Sequence, residues 1–383
     1  MNFQLTEKQA SLQSDVNAFC AEYCDKDVAY QLATEKQFPT DIYKALSDQG
    51  LLKTPIAKKY GGKSGGLIET VLVTEELAKH SGTLGNIFLV NTVFCGALIQ
   101  MAGSDRQQAE LLPGLAEGKL RFCFALTEQS AGSDASAVTT HATKNADGWS
   151  ISGSKKYATG ALDADWLLIV ARSDTQCKPT EGLSIFIVPA QSENLTIEPL
   201  DKIAGNAFAS CSIDLNDVRV PHSAILGEDT GLHKAWSALR VTGGMERICV
   251  AAYALGIAQA VNADAQSHAK ERHQFGQPIG KFQAIQHKLA EMTIQIEAAK
   301  WLTYAAAWKV DNGDDAAKEI SIAKIFASQA LNDIVMHGSN IFGGEGFLSN
   351  SAITRYRNEA LLTIYAGGTT EIQKNLIARY IGL

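Results

Sequence analysis

At 383 residues the chain is long enough for two or three domains, and 46% hydrophobic with 20% charged residues is ordinary globular composition. A net charge of −7 gives a nucleic-acid backbone nothing to bind, and no basic-then-apolar leader opens the chain. Seven cysteines, an odd number with no Cys-x-x-Cys pair, point to reduced thiols and a cytoplasmic protein.

Residues 1–118 read as a helical domain. Thr6 and Gln9 have capping-box spacing ahead of a long periodic segment, in which Cys20 and Cys24 are packing residues at i, i+4. Pro39 and Thr40 open another helix that Gly50 closes, Tyr60-Gly61-Gly62 marks a loop, and Ile68 to His80 is helical again. Ser81 to Ser104 carries no charge, but Asn86, Asn91, Thr92 and Gln100 interrupt it, so a buried core helix is expected and not a membrane span. Ser104 to Gln107 caps the last helix, which is expected to lie before Pro113.

Over residues 119–225 the period changes to alternation. Arg121–Leu126, Val138–Thr143, Trp149–Lys155, Trp166–Ala171, Leu183–Val188 and Ser210–Leu215 read as strands, and Asn145-Ala-Asp-Gly148 as a hairpin turn. A small antiparallel sheet domain ending near Val220-Pro221 is expected. After its first strand, Cys123-Phe-Ala-Leu-Thr-Glu-Gln-Ser-Ala-Gly-Ser-Asp134 becomes a loop of small residues. Gly132 lets a ligand approach the backbone, Ser133 adds a hydroxyl, and free N–H groups there suit an anion such as a pyrophosphate.

Residues 226–383 are helical. Ile248, Ala251, Ala252, Leu255 and Ala258 make one apolar face, and Lys288–Val310 and Asp315–His337 are long amphipathic segments joined by a polar turn. The fold class is therefore multidomain α+β: an N-terminal helical domain, a middle antiparallel β-domain and a C-terminal four-helix bundle.

Several chemistries are set aside. There is no phosphate-loop lysine motif, no Gly-x-Ser-x-Gly elbow and no metal-ligand spacing, and His268 and His273 fall off one helix face, where solvation is expected. Gly344-Glu-Gly346 has Ser349 where a dinucleotide fingerprint needs its third glycine. Two glycine clusters remain, Asn340–Phe347 and Ile364–Ile372, which by themselves are simple helix–helix turns.

Together with the first loop, these clusters carry a resemblance. Leu126-Thr-Glu-x-x-Ala-Gly-Ser-Asp134, Lys270-Glu-Arg-His-Gln-Phe-Gly-Gln-Pro-Ile-Gly280 with Phe282-Gln-Ala-Ile-Gln286, and Phe342-Gly-Gly-x-Gly-Phe347 with Arg355 and Arg357-Asn-Glu359 resemble the acyl-CoA dehydrogenase family, in order and across essentially the whole chain. The resemblance implies one FAD per subunit, a homotetramer or homodimer, and α,β-dehydrogenation of an acyl thioester by a carboxylate base and a hydride-accepting flavin. It also assigns sites. Thr127, Gly132, Ser133, Tyr157 and Thr159 would meet the flavin and its phosphates. Arg272, Phe275, Asn340 and Gly344 would clasp FAD across a subunit interface, and Thr369 and Glu371 would contact it near the C-terminus. For Glu371 the alternative is a surface pair with Lys374.

The base is an informative departure. Many members carry their catalytic glutamate where this chain has Gly367, and others carry it on a bundle helix just before an arginine, as in Met245-Glu246-Arg247. The residues themselves agree with Glu246, because its helical neighbours Thr242, Gly243, Cys249 and Val250 include no cation. Arg247 points about 100° away around the helix. A simple solvated glutamate is the alternative. Ser133, Arg247 and Gly367 fall on the substrate side, with the Gly367 N–H available to the thioester carbonyl.

Other departures concern the substrate. Ala204, Asn206 and Phe208 stand where the family often has a glycine, an arginine and a serine, so acyl-chain preference does not carry over. Gly243-Gly244 should loosen the helix by roughly 1 kcal/mol per glycine. The leading expectation is oxidation of an acyl-CoA with electrons passed to an electron-transferring flavoprotein. Alternatives are reduction of a crotonyl-type enoyl-CoA, dehydrogenation of a carrier-protein-bound acyl group, and a flavin-free scaffold.

Overall fold

A computed structural model describes residues 4–383. Helix α1 (Glu7–Tyr23) starts at a full capping box, with Gln9 N–H donating to Thr6 Oγ1 and Thr6 N–H donating to Gln9 Oε1. Then come α2 (Lys26–Thr34), α3 (Thr40–Asp48) and α4 (Leu67–His80), and the chain leaves α3 through Gly50 at φ +66°. The first N–H groups of α4 are capped from far along the chain: both Asp311 carboxylate oxygens accept, from Leu67 at 2.6 Å and Ile68 at 3.0 Å. That bond fastens the N-terminal domain to the C-terminal helices.

The uncharged run is α5 (Gly82–Ile87), a π-helical stretch Phe88–Cys95, and α6 (Gly96–Ala102). Its most apolar window is 89% buried, so its apolar character serves the core. Asn91 in the π stretch uses Oδ1 to accept the Phe122 N–H at 2.7 Å, which sets the first strand of the sheet. Helix α7 (Asp105–Ala116) does not stop before Pro113 as expected; proline removes one N–H from its last turn without breaking it.

The sheet contains β1 (Phe122–Ala125), β2 (His141–Lys144), β3 (Gly148–Thr159), β4 (Trp166–Arg172), β5 (Leu183–Pro189), β6 (Leu195–Pro199) and β7 (Ser210–Pro221). Its order is β1-β4-β2-β3-β7-β6, with β5 also on β4. The expectation of a purely antiparallel sheet is corrected, since β1 runs parallel to β4 and β2 meets β4 in parallel at His141 and Arg172. Strand β4 explains why. Leu167, Ile169 and Ala171 enter one core and Leu168 and Val170 another, so this strand is covered on both faces. The second core includes Phe94, Leu98 and Leu112, and it seats the sheet on the N-terminal helices. Strand β6 was not expected; its Leu-Thr-Ile-Glu-Pro sequence makes a largely exposed edge.

After α8 (Glu228–Gly231) come α9 (Ala235–Glu271), a hairpin of β8 (His273–Gln274) and β9 (Gln277–Pro278), α10 (Gln283–Asp311) and α11 (Ala317–Phe342). The chain ends with α12 (Ala352–Ala360), α13 (Leu362–Tyr365) and α14 (Thr370–Tyr380). Helices α9, α10 and α11 pack on one another, α14 packs on α11, and α4 lies along α9 and α10. Helix α9 passes through Gly243-Gly244 without a break, and Ile248, Ala251, Ala252 and Leu255 are buried in one core shared by both helical domains. His268 is not solvated as expected: it is half-buried and stacks on Phe342 with ring centroids 4.4 Å apart.

Candidate active site

Helix α9 and the turn between α13 and α14 bring Glu246, Arg247 and Gly367 together. Gly367 lies in that turn at φ +67° and Gly368 at φ +96°, a backbone that disfavours any side chain. A Cβ added at Gly367 would stand 3.3 Å from Arg247 Cγ and 3.8 Å from the carboxyl carbon of Glu246. Glu246 and Gly367 thus face the same spot from two elements. Arg247 Nε donates to the Gly367 carbonyl at 3.1 Å, and Gln373 Nε2 donates to it at 2.9 Å.

Glu246 has no hydrogen bond or ion-pair contact with any described residue. Burial pushes its carboxyl pKa up, while the charges of Arg247 and Lys324 act in the opposite direction. The Cys95 and Cys249 thiols lie close enough that its charge adds to the burial that raises them. An unpaired carboxylate with raised proton affinity, facing a glycine turn, has the properties of a general base. The N–H groups of Gly367, Gly368 and Thr369 donate to no described residue, although Thr369 Oγ1 caps α14 through Ile372 N–H at 3.3 Å. Glu371, in the first turn of α14, forms no ion pair with Lys374.

The first loop is built on a buried glutamate. Glu128 Oε1 accepts from Lys155 Nζ at 2.8 Å and Thr140 N–H at 2.9 Å, and Oε2 accepts from the N–H and hydroxyl of Thr139, both at 2.7 Å. Burial alone would raise this carboxyl, but Lys155, Thr139 and Thr140 hold it down to about 2. Lys155 Nζ also donates to the Leu126 carbonyl at 3.0 Å, and Lys156 N–H to the Thr127 carbonyl at 2.8 Å. The loop is therefore fixed to β3 at its root.

Beyond that root, Gly132 and Ser133 donate their N–H groups to no described residue, and a Cβ on Gly132 would meet nothing within 4 Å. A bulge between Lys155 and Ala158 in the β3–β7 pairing turns Tyr157 outward, at φ +61° and 58% exposed. Thr159 Oγ1 shares a 2.9 Å hydrogen bond with Ser210. Tyr157 also reaches toward the active-site turn: partial burial and its proximity together raise the Tyr365 hydroxyl pKa.

Arg272, Phe275, Asn340 and Gly344 form a separate group. Arg272 ends α9, Phe275 tips the β8–β9 hairpin with 94% of its surface exposed, and Asn340 and Gly344 sit at the end of α11 beside it, joined through the His268–Phe342 stack. Along α9 this group lies about 38 Å from Glu246. Gly343 and Gly344 also open on space, with no atom within 4 Å of an added Cβ. A dinucleotide such as FAD fits the loops: unpaired N–H donors for phosphates, an out-turned aromatic for a ring face, and glycines that leave the approach clear.

Residues 6–119, 123–218 and 234–382 match the N-terminal, middle and C-terminal domains of acyl-CoA dehydrogenase. The chain belongs to the acyl-CoA dehydrogenase family. It is an oxidoreductase of a family that uses FAD. It is 38% identical to a 3-(aryl)acrylate reductase of Clostridium sporogenes over 94% of each protein. It is 33% identical to CarC, a subunit of the caffeyl-CoA reductase–Etf complex of Acetobacterium woodii, over 95% of this chain and 96% of that one. The butyryl-CoA dehydrogenase structure from Megasphaera elsdenii superposes with a TM-score of 0.94 at 32% identity, covering all of both chains.

Sequence reasoning missed two parts of this acyl-CoA dehydrogenase site. One is the Glu128–Lys155 pair, 27 residues apart in sequence and joined only by the sheet. The other is Lys324, which is 0% exposed on α11 and donates to the Ile364 and Gly368 carbonyls at 3.1 and 2.8 Å. A signal for it existed: Lys324 falls on the apolar stripe of Ile320, Ala323, Ala327 and Leu331, where a lysine needs a reason.

Proposed function

We propose that this chain exchanges the α-proton and β-hydride of an acyl-CoA thioester, with Glu246 as the base. The observation that carries the reading is the unpaired Glu246 carboxylate facing the Gly367 turn. Thr127, Gly132, Ser133, Tyr157, Thr159, Thr369 and Glu371 would hold FAD, which when bound takes or returns the hydride. Glu246 removes the α-proton, its raised proton affinity suiting that task. The Gly367 N–H, donating to no described residue, is available to the thioester carbonyl as negative charge develops there, with Ser133 and Arg247 on the substrate side.

The Arg272–Phe275–Asn340–Gly344 group lies too far from its own Glu246 to serve the same flavin. We therefore assign it to the FAD of a neighbouring subunit in a homotetramer or homodimer. The electron partner we infer is an electron-transferring flavoprotein, since the related CarC is a subunit of a reductase–Etf complex. Seven free cysteines, six of them buried, agree with a cytoplasmic setting. The reverse reaction, reduction of an enoyl-CoA, uses the same groups, and the similarity to two reductases favours testing it equally.

The experiment is a panel of acyl- and enoyl-CoAs added to the purified yellow holoprotein, scored by flavin bleaching or, for prereduced protein, by flavin recovery. Bleaching by a saturated thioester, or recovery with its 2-enoyl counterpart, is expected. A holoprotein whose flavin responds to neither class overturns the reading, as does the absence of flavin from the denatured protein's supernatant after expression with cofactor supplied.

A further inference from the structure

A fully buried lysine that pairs with no carboxylate within ion-pair distance is costly unless it is used. Lys324 is such a lysine, and its ammonium spends its hydrogen bonds on the active-site turn, at the carbonyls of Ile364 and Gly368. These two peptides bracket Gly367. The peptide between them, with the Gly367 carbonyl, is held by Arg247 and Gln373, and Ser328 Oγ takes the Thr363 carbonyl at 2.9 Å. Thus the carbonyls of the turn are bound on the side facing α9 and α11, while the Gly367 N–H is left undonated.

We propose that Lys324 is the positioning residue of this site: it pins the turn that carries Gly367 and, with Arg247, sets positive charge near Glu246. The inference rests on the reading of Glu246 as base. The charged groups that face Lys324 are Glu246 and Arg247 from α9 and Glu371 from α14. Those that face Glu246 are Arg247 and Lys324, with the Cys95 and Cys249 thiols beside it. Burial lowers the Lys324 ammonium to about 8, Glu246 acting against that fall, so the positive charge is present at neutral pH and lost above it.

The test is the pH profile of substrate-driven flavin bleaching in holoenzyme carrying Lys324→Met or Lys324→Gln, with Glu246→Gln run alongside. Wild type is expected to give a bell, with an alkaline limb near pH 8. Both lysine variants should retain FAD, bleach about 10-fold or more slowly, lose the alkaline limb, and move the acid limb to higher pH. Folded variants with wild-type rate and limbs overturn the proposal and leave Lys324 a packing residue. If neither variant folds, the unaltered holoenzyme decides: a rate flat from pH 7 to about 9.5 with FAD retained overturns it. Glu246→Gln separates the two readings. If that variant bleaches at the wild-type rate, the base assignment fails. If it collapses while the lysine variants keep the wild-type profile, only the role of Lys324 fails.

Discussion

Glu128 in the middle domain is buried and Glu246 in the helical domain half-buried, and they differ most in what surrounds their oxygens. Glu128 accepts four hydrogen bonds, one of them from an ammonium, and its proton affinity falls to about 2. Glu246 accepts none from the described residues, and its proton affinity rises. A satisfied carboxylate holds a loop in shape and has no reason to take up a proton near neutral pH. An unsatisfied one is free to exchange a proton with whatever enters the space before it. Burial alone therefore does not set the proton affinity of these two carboxylates; whether their oxygens are partnered does.

Three substitutions test that contrast. The largest effect belongs to Glu246→Gln, which keeps size and removes the proton acceptor. Flavin reduction by a good substrate should slow by about 10²–10⁴-fold, while FAD content and thermal midpoint stay near wild type. Stopped-flow absorbance of the flavin reads it, and a wild-type rate would move the search to Glu371. Adding Gly367→Glu should recover little of the loss, because φ +67° strains any side chain there and Arg247 Cγ stands 3.3 Å from its Cβ.

Glu128→Gln should do the reverse, leaving the chemical step to the fraction that folds and lowering stability. Lys155, whose side chain is 0% exposed and whose ammonium burial lowers to about 8 even with Glu128 acting against that fall, would lose its counter-charge, a change that typically costs about 3–5 kcal/mol. Denaturant titration measures it, and Glu128→Leu with Lys155→Met should restore most of it. The pH sign follows from the depressed pKa. The contribution of Glu128 is fully present above its unfolded value of about 4.5 and lost as pH falls toward 2. Equal stability of wild type and Glu128→Gln at neutral pH would refute the structural role.

How much of this was legible in the sequence depends on whether the signal was local. The capping box at Thr6, the hairpin at Asn145 and the apolar face of α9 are written within one turn or one helix face, and each is found where expected. Parallel pairing of β1 with β4 is not local, since it joins strands more than 40 residues apart, and a short, largely exposed edge such as β6 offers too few apolar residues to read. Glu246 stood out because its helical neighbours include no cation, a test that needs only a helix. Its nearness to Gly367 came from the family resemblance, as it crosses from one helix to a distant turn. Lys324 was readable in principle as a charge on an apolar stripe, but what it holds is two carbonyls 40 and 44 residues away.

Glu75 lies between the two extremes and gives the smallest effect. It is 1% exposed on α4 and accepts from Tyr304 Oη at 2.8 Å and Gln259 Nε2 at 2.7 Å, with no ammonium in contact. Burial raises its carboxyl to about 7, the two hydrogen bonds only limiting the rise. A carboxyl whose folded pKa exceeds its unfolded one binds its proton more tightly when folded. Its contribution is therefore most favourable below about pH 4.5 and is lost as pH rises to 7. Glutamine keeps both hydrogen bonds, with the Tyr304 hydroxyl turning to accept, and has no charge to bury. Glu75→Gln should match wild type at pH 5 and exceed it at pH 8, by at most about 3 kcal/mol. Thermal or denaturant unfolding of both proteins at the two pH values measures it. A difference that does not grow with pH would mean that Glu75 keeps its charge in the core, and that two neutral donors suffice to hold a buried carboxylate ionised.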